Sequence, residues 1–127
     1  MSEVSYTAKG HYLGTEIDET WWRRYRRDHL FARGNGRYHI DRQGLHFKRY
    51  FLTPFSIPFT QVRMVKLGKW HAGRWAGGRP VVKLCWEHRG EHLCSGFVLT
   101  RDWAVAEELQ QRLNTLLRQR REETTHD

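Results

Sequence analysis

The apolar residues of this chain change their period once, and late. From Arg37 to Thr100 they recur at every second position in one short stretch after another. From Arg101 to Glu123 they recur at every third or fourth. A period of two marks a strand with one buried face, and a period near 3.6 marks an amphipathic helix. A chain patterned in this way must bury several strand faces and one helical stripe against each other. That restricts it to an α+β arrangement.

The strands can be placed from their punctuation. "RYHID" and "LHFKRYF" flank "RQG", a turn that ends in glycine, and read as a β-hairpin over residues 37–51. "TPFSIPF" carries two prolines, which suits an edge strand. "VRMVKLG" is a further strand whose alternation slips between Met64 and Val65, the signature of a bulge. "PVVKLCWEH" and "EHLCSGFVLT" form a hairpin around Arg89 and Gly90, with Val82, Leu84 and Trp86 opposite Phe97, Ser95 and Leu93. The final segment carries Trp103, Ala106, Leu109, Leu113, Leu116 and Leu117 as its stripe. Its acids lie early and its arginines late, as the helix dipole favours.

Upstream the pattern is less regular. Asp18 reads as an N-cap and Glu19 as a first-turn acid of a short helix running to about Arg27. Trp21, Trp22 and Tyr25 would share one side of it. The expected organisation is an N-terminal arm over residues 1–14, one domain over 15–121 and a tail over 122–127. The expected fold is α+β: a strongly bent antiparallel sheet or small barrel closed by a C-terminal amphipathic helix, with a short N-terminal helix.

The order of these segments over residues 36–120 resembles the pleckstrin-homology-like (PH-like) fold, in particular that of small bacterial proteins. The strand pair "GRYHIDRQGLHFKRY", the segment "SIPFTQV", the hairpin "KLCWEHRGEHLCSGFVL" and the closing helix carry the likeness. The resemblance implies a binding module. Phosphoinositide binders of the family use basic residues on the first two strands and their loop, where this chain has Arg37, Arg42, Lys48 and Arg49. Lys48 and Arg49 are adjacent, however, and form no basic-X-Arg triplet.

Charge points toward a class of partner. Lysine and arginine total 22 against 14 acids, a net charge of +8, which favours anionic surfaces. The excess is concentrated in two blocks. Residues 21–37 hold six arginines and one acid, and residues 63–83 hold six basic residues and none. Both blocks contain tryptophan pairs. In "GKWHAGRWAGGR", glycines allow close backbone approach to a ligand, arginines offer forked hydrogen bonds and indoles offer stacking faces. The competing reading has Trp70 and Trp75 folded back to plug the sheet beneath the arginines. The candidate ligand-binding residues are Lys69, Trp70, His71, Arg74, Trp75 and Arg79, assisted by Trp22, Arg23, Arg24 and Arg27. His71 is expected at the surface.

Other chemistries find little support. A two-residue loop at Arg89–Gly90 sets Cys85 opposite Cys94 and Glu87 opposite His92, a set that could hold zinc. Two reduced cysteines packed under the sheet are the simpler expectation, and a cross-strand disulfide requires an oxidising setting. The eight histidines form neither HExxH nor HxH, and no G-x-S-x-G elbow or phosphate-binding loop occurs. The chain is therefore expected to be no enzyme and to carry no cofactor or metal. It is read as a docking module for an acidic protein or an anionic membrane surface, with nucleic acid and an unrecognised small enzyme as the other readings. No apolar run approaches the ~20 residues of a membrane span, and no secretory signal is visible. The expected location is cytoplasmic, with a peripheral place at the membrane left open.

Overall fold

The computed structural model describes residues 6–125. Ten strands and one long helix follow in order: β1 (Tyr6–Ile17), β2 (Thr20–Arg24), β3 (Gly34–Ile40), β4 (Gly44–Arg49), β5 (Phe55–Pro58), β6 (Val62–Gly68), β7 (Trp70–His71), β8 (Arg74–Trp75), β9 (Val81–His88), β10 (Glu91–Val98) and α1 (Trp103–Thr125). The main sheet is antiparallel with strand order β5-β4-β3-β1-β10-β9-β6, and β2 is paired to β1 off this path. A 3-10 turn, Phe59–Gln61, is all that joins β5 to β6, the two ends of the path. In a flat sheet those ends would lie about 29 Å apart, whereas Pro58 to Val62 spans at most about 14 Å. The sheet must therefore bend strongly upon itself. No ladder joins β5 to β6 among the described residues, so it is a bent sheet with two edges rather than a closed barrel.

The concave face holds the core. Tyr12, Phe47, Phe55 and Phe97 pack ring against ring at centroid distances of 4.8–6.2 Å, with Trp86, Ile40, Leu45 and Leu84 around them. Helix α1 lies on β6 and the 3-10 turn, burying Ala106, Leu109, Leu113, Leu116 and Leu117. Asp102 caps it, its Oδ1 accepting the Ala104 N–H at 2.9 Å. One directed chain of hydrogen bonds runs through the core. The Trp86 indole donates to Ser95 Oγ (3.0 Å) and Ser95 donates to Thr15 Oγ1 (2.6 Å). Thr15 donates to Tyr12 Oη (2.5 Å), and Tyr12 donates to the Leu30 carbonyl (2.6 Å). Each buried hydroxyl thus accepts once and donates once, which removes the penalty of burying it.

Several expectations require correction. Residues 6–14 are no arm, because they form most of β1, which is paired on both sides, to β10 and to β3. The arm's first five residues lie outside the described residues. The short helix from Asp18 to Arg27 is absent. Asp18 and Glu19 have φ of 54° and 56°, make a tight turn and return the chain as β2. Thr-Trp-Trp suits a pleated strand, and a positive-φ turn without glycine hid the reversal. The helix continues to Thr125, past the expected boundary at 121. Trp103 leaves the apolar stripe, lies half-buried, and donates its indole N–H to the Gly78 carbonyl at 2.9 Å.

Candidate functional site

The convex face of the sheet at β1 and β10 would be solvent-exposed but for the tryptophan loop, which folds onto it. Strands β7 and β8 pair as a separate two-stranded ribbon, Trp70 opposite Trp75 and His71 opposite Arg74. His71 is the tooth of this ribbon. Its ring lies over Gly96, where a Cβ would come within 2.4 Å of the imidazole, and its Nε2 is 3.1 Å from the Gly14 carbonyl, to which it donates. Only a residue without a side chain at position 96 leaves this slot. Glu16 accepts the Ala72 N–H at 2.7 Å, and Arg33 reaches across to donate to the carbonyls of Ala72 (2.7 Å) and Leu13 (2.9 Å). Ala76 completes the attachment in a small apolar cluster with Leu13, Val81 and Val98.

This anchorage makes His71 a buried residue, 1% exposed, rather than a surface one. Burial drives its pKa well below the ordinary imidazole range, since the charged form would lose its water; Glu16, with a carboxylate oxygen 3.7 Å from Nδ1, pulls the other way. His71 is therefore spent on structure. The reverse holds for the tryptophans. Trp70 and Trp75 are 60% and 56% exposed, with ring centroids 6.4 Å apart, and do not plug the sheet.

The other basic block lies beside this loop. Trp21 and Trp22 stand edge to face at 5.4 Å and are 61% and 67% exposed. The Trp21 ring lies over Gly73, close enough that a Cβ there would be 3.2 Å from it. Trp21, Trp70, His71, Ala72 and Gly73 together line a cleft of about 340 Å³. The cations converge too. Arg24 and Arg33 both have depressed pKa values, caused first by burial and then by neighbouring arginines, Arg74 among them in each case.

The predicted site residues divide accordingly. Trp70, Arg74, Trp75, Trp22 and Arg24 are gathered at this face, although Arg24 also donates to the Phe31 carbonyl and lies 4.3 Å over the Phe31 ring. Arg23 is exposed and paired with Asp18 at 3.3 Å. Lys69 and Arg27 are exposed, and their carbonyls accept loop N–H groups from Ala76 and Leu30. Arg79 is elsewhere. Its Nε donates to the Ala76 carbonyl at 2.8 Å, and the residue lines a second cleft. Trp21, Glu16 and Arg33 were missed by sequence reasoning. Trp21 had the same signal as Trp22. Nothing local marks Glu16 or Arg33 as loop anchors, because their partners are 56 and 39 residues away.

The basic residues that the PH-like resemblance brought forward are differently placed. Arg49, 2% exposed, donates to the carbonyls of Ala32 (2.6 Å), His29 (2.6 Å) and Thr53 (3.1 Å) and lies over the rings of Tyr12 and Phe55. It is a clamp for two loops and has no face free for a ligand. Around it the loops present Phe31, Tyr50, Phe51 and Leu52 to solvent. Cys85 and Cys94 are directly paired in the β9–β10 ladder and joined as a disulfide. The expectation of free thiols fails because facing positions on adjacent strands bring the two sulfurs within bonding reach. Disulfide sulfurs are not thiolates, so the cysteine–histidine–carboxylate zinc set is not formed in this state; His92 instead shares its Nδ1 with Glu87 at 3.0 Å.

A family model described as bacterial PH domain-like matches residues 1–114. No curated protein matches the chain.

Proposed function

The chain belongs to the bacterial PH domain-like family, and from that premise we propose that it is a non-enzymatic docking module. It holds an anionic partner, an acidic protein surface or an anionic lipid, on the basic-aromatic face built by residues 20–24 and 69–75. The observation that carries this reading is the meeting of the two blocks, with Trp21 over Gly73 in one cleft with Trp70. Four indoles more than half exposed are an energetic liability in water unless something covers them. The arginines beside them set the sign of what does so. Indoles supply flat amphipathic contact area and arginines supply charge-assisted hydrogen bonds, a combination common at docking hot spots.

The test compares binding of the full chain to anionic vesicles, to neutral vesicles, to an acidic peptide and to a single-stranded oligonucleotide, each at two salt concentrations. Binding to an anionic vesicle or acidic peptide that weakens with salt and falls at least tenfold in Trp70→Ala/Arg74→Ala supports the reading. Preferential binding of the oligonucleotide would instead make this a nucleic-acid surface. Binding insensitive to the double substitution removes the face from the function.

A further inference from the structure

A second cleft lies at the far end of the tryptophan loop. It is about 190 Å³ in volume and forms where the outer faces of β1 and β3 meet the joint between β10 and α1. Three basic residues from distant parts of the chain line it: Lys9 on β1, Arg79 at the close of the loop and Arg101 just before the helix. No carboxylate is among its lining residues, and among the described residues none of the three cations is in an ion pair. Like charges brought together repel, and an anion between them relieves that repulsion.

The polar groups are disposed to receive one. Arg79 spends Nε on the Ala76 carbonyl, which fixes the plane of the guanidinium and leaves its two outer nitrogens as donors. The His11 ring shares Nδ1 with Asn35 Oδ1 at 2.7 Å, so the Asn35 amide nitrogen remains as a neutral donor at the rim. The volume is below the roughly 300–1,000 Å³ of a drug-sized site, so the occupant is compact. Three cations match a dianion better than a monoanion. A phosphomonoester is such a group, since its second ionisation, near pKa 6, leaves about −1.5 to −2 charges at pH 7.

We propose that this cleft is a phosphomonoester site, with the terminal phosphoryl group held by Lys9, Arg79 and Arg101 and hydrogen-bonded by the Asn35 amide. It is separate from the indole face and does not depend on the docking reading. The group can belong to a soluble phosphorylated metabolite or to a lipid headgroup, and the two sources share this chemistry.

The experiment titrates the full chain with inorganic phosphate and with glycerol 3-phosphate by calorimetry at low salt, and separately with vesicles containing phosphatidic acid or phosphatidylglycerol. The variants are Lys9→Gln/Arg101→Gln, which remove exposed charges that make no described bond, and Arg79→Lys, which keeps the charge and loses the fork. Saturable binding of the soluble probes, weakened at least tenfold in the double variant and measurably in Arg79→Lys, supports the site with a soluble source. Binding to phosphatidic acid vesicles in excess of that to phosphatidylglycerol vesicles, with no soluble probe bound and the excess lost in the same variants, supports it with a lipid source. Trp70→Ala/Arg74→Ala should leave binding of the soluble probes, and any excess binding of phosphatidic acid vesicles over phosphatidylglycerol vesicles, unchanged. The site is overturned if no soluble probe binds and phosphatidic acid vesicles bind no better than phosphatidylglycerol vesicles, if the Lys9→Gln/Arg101→Gln variant binds as well as the parent, or if Trp70→Ala/Arg74→Ala weakens the soluble-probe binding or the phosphatidic acid excess equally.

Discussion

Residues 25–33 and residues 69–79 both lie off the main sheet, both are basic and both are bordered by exposed rings, yet they are fastened to the sheet from opposite directions. In the first, the sheet reaches out. Arg49 and Tyr12, rooted in β4 and β1, donate to the carbonyls of His29, Ala32 and Leu30, while Asp28 is held by Tyr25, His88 and Arg89. In the second, the loop reaches in. His71 enters a slot between glycines, and Ala76 fills the small convex cluster. Arg33, which closes the first segment, donates to the second at Ala72 and so joins them. The comparison teaches that conspicuous residues and anchoring residues are different sets. The tryptophans of both blocks stay exposed while quieter residues hold the backbone.

The largest expected effect is at the outward clamp. Arg49→Met removes a buried charge that satisfies three carbonyls and should cost about 3–5 kcal/mol in urea unfolding. A loss under about 1 kcal/mol would mean that the first loop is held by something else. Gly96→Ala should cost about 1–3 kcal/mol, because the new methyl group collides with the His71 ring. Hydrogen exchange should quicken at the Ala72 amide, which Glu16 accepts, and stay slow at the Leu30 amide. Equal quickening at both would merge the two attachments into one.

Acid should separate the loops by order. The pKa of His71 is depressed in the folded state, so below the ordinary value of about 6.5 the unfolded chain binds the extra proton and stability falls as pH falls. The pKa of Asp28 is also depressed, first by its hydrogen bond from His88 and then by that from Arg89. Its contribution is complete above about pH 3.9 and is lost only as pH falls further. Amide exchange measured from pH 7 downward should therefore report loosening of residues 69–79 before residues 25–33. The reverse order would contradict the assignment of the anchors. The smallest effect on stability is expected at the rings themselves. Trp70→Ala and Trp75→Ala should each change unfolding by no more than about 0.5 kcal/mol, since both are exposed, while weakening capture of an anionic partner. A large loss of stability would return these rings to a structural role.

Much of the fold was legible because its signals are local. The Arg89–Gly90 turn, with φ of 53° and 77°, sets the β9–β10 register residue by residue, including Cys85 opposite Cys94 and Leu84 opposite Ser95. The paired prolines of 54 and 58 mark the edge strand β5, and the helical stripe is buried as read from Ala106 to Leu117. The expected bulge is present one step early, between Val62 and Met64. Strand β1 was not legible. Its convex face is covered by a loop more than fifty residues downstream, so Glu16 is buried where alternation calls for solvent, and a register shift between Tyr12 and Gly14 sets Thr15 opposite Ser95 in the core. The two-block surface was inferred from composition, but the burial of His71 and the exposure of Trp70 and Trp75 depend on Gly96, which only tertiary packing brings beneath the ring.

The seat of the tryptophan loop has an implication for portability. Gly14, Glu16, Arg33 and Gly96 come from three separate strand or linker segments, and none of them belongs to the ribbon they support. Residues 69–79 grafted alone onto another domain of similar architecture would arrive without a socket. A transplant that carried those four positions along would move the whole grip as one heritable unit.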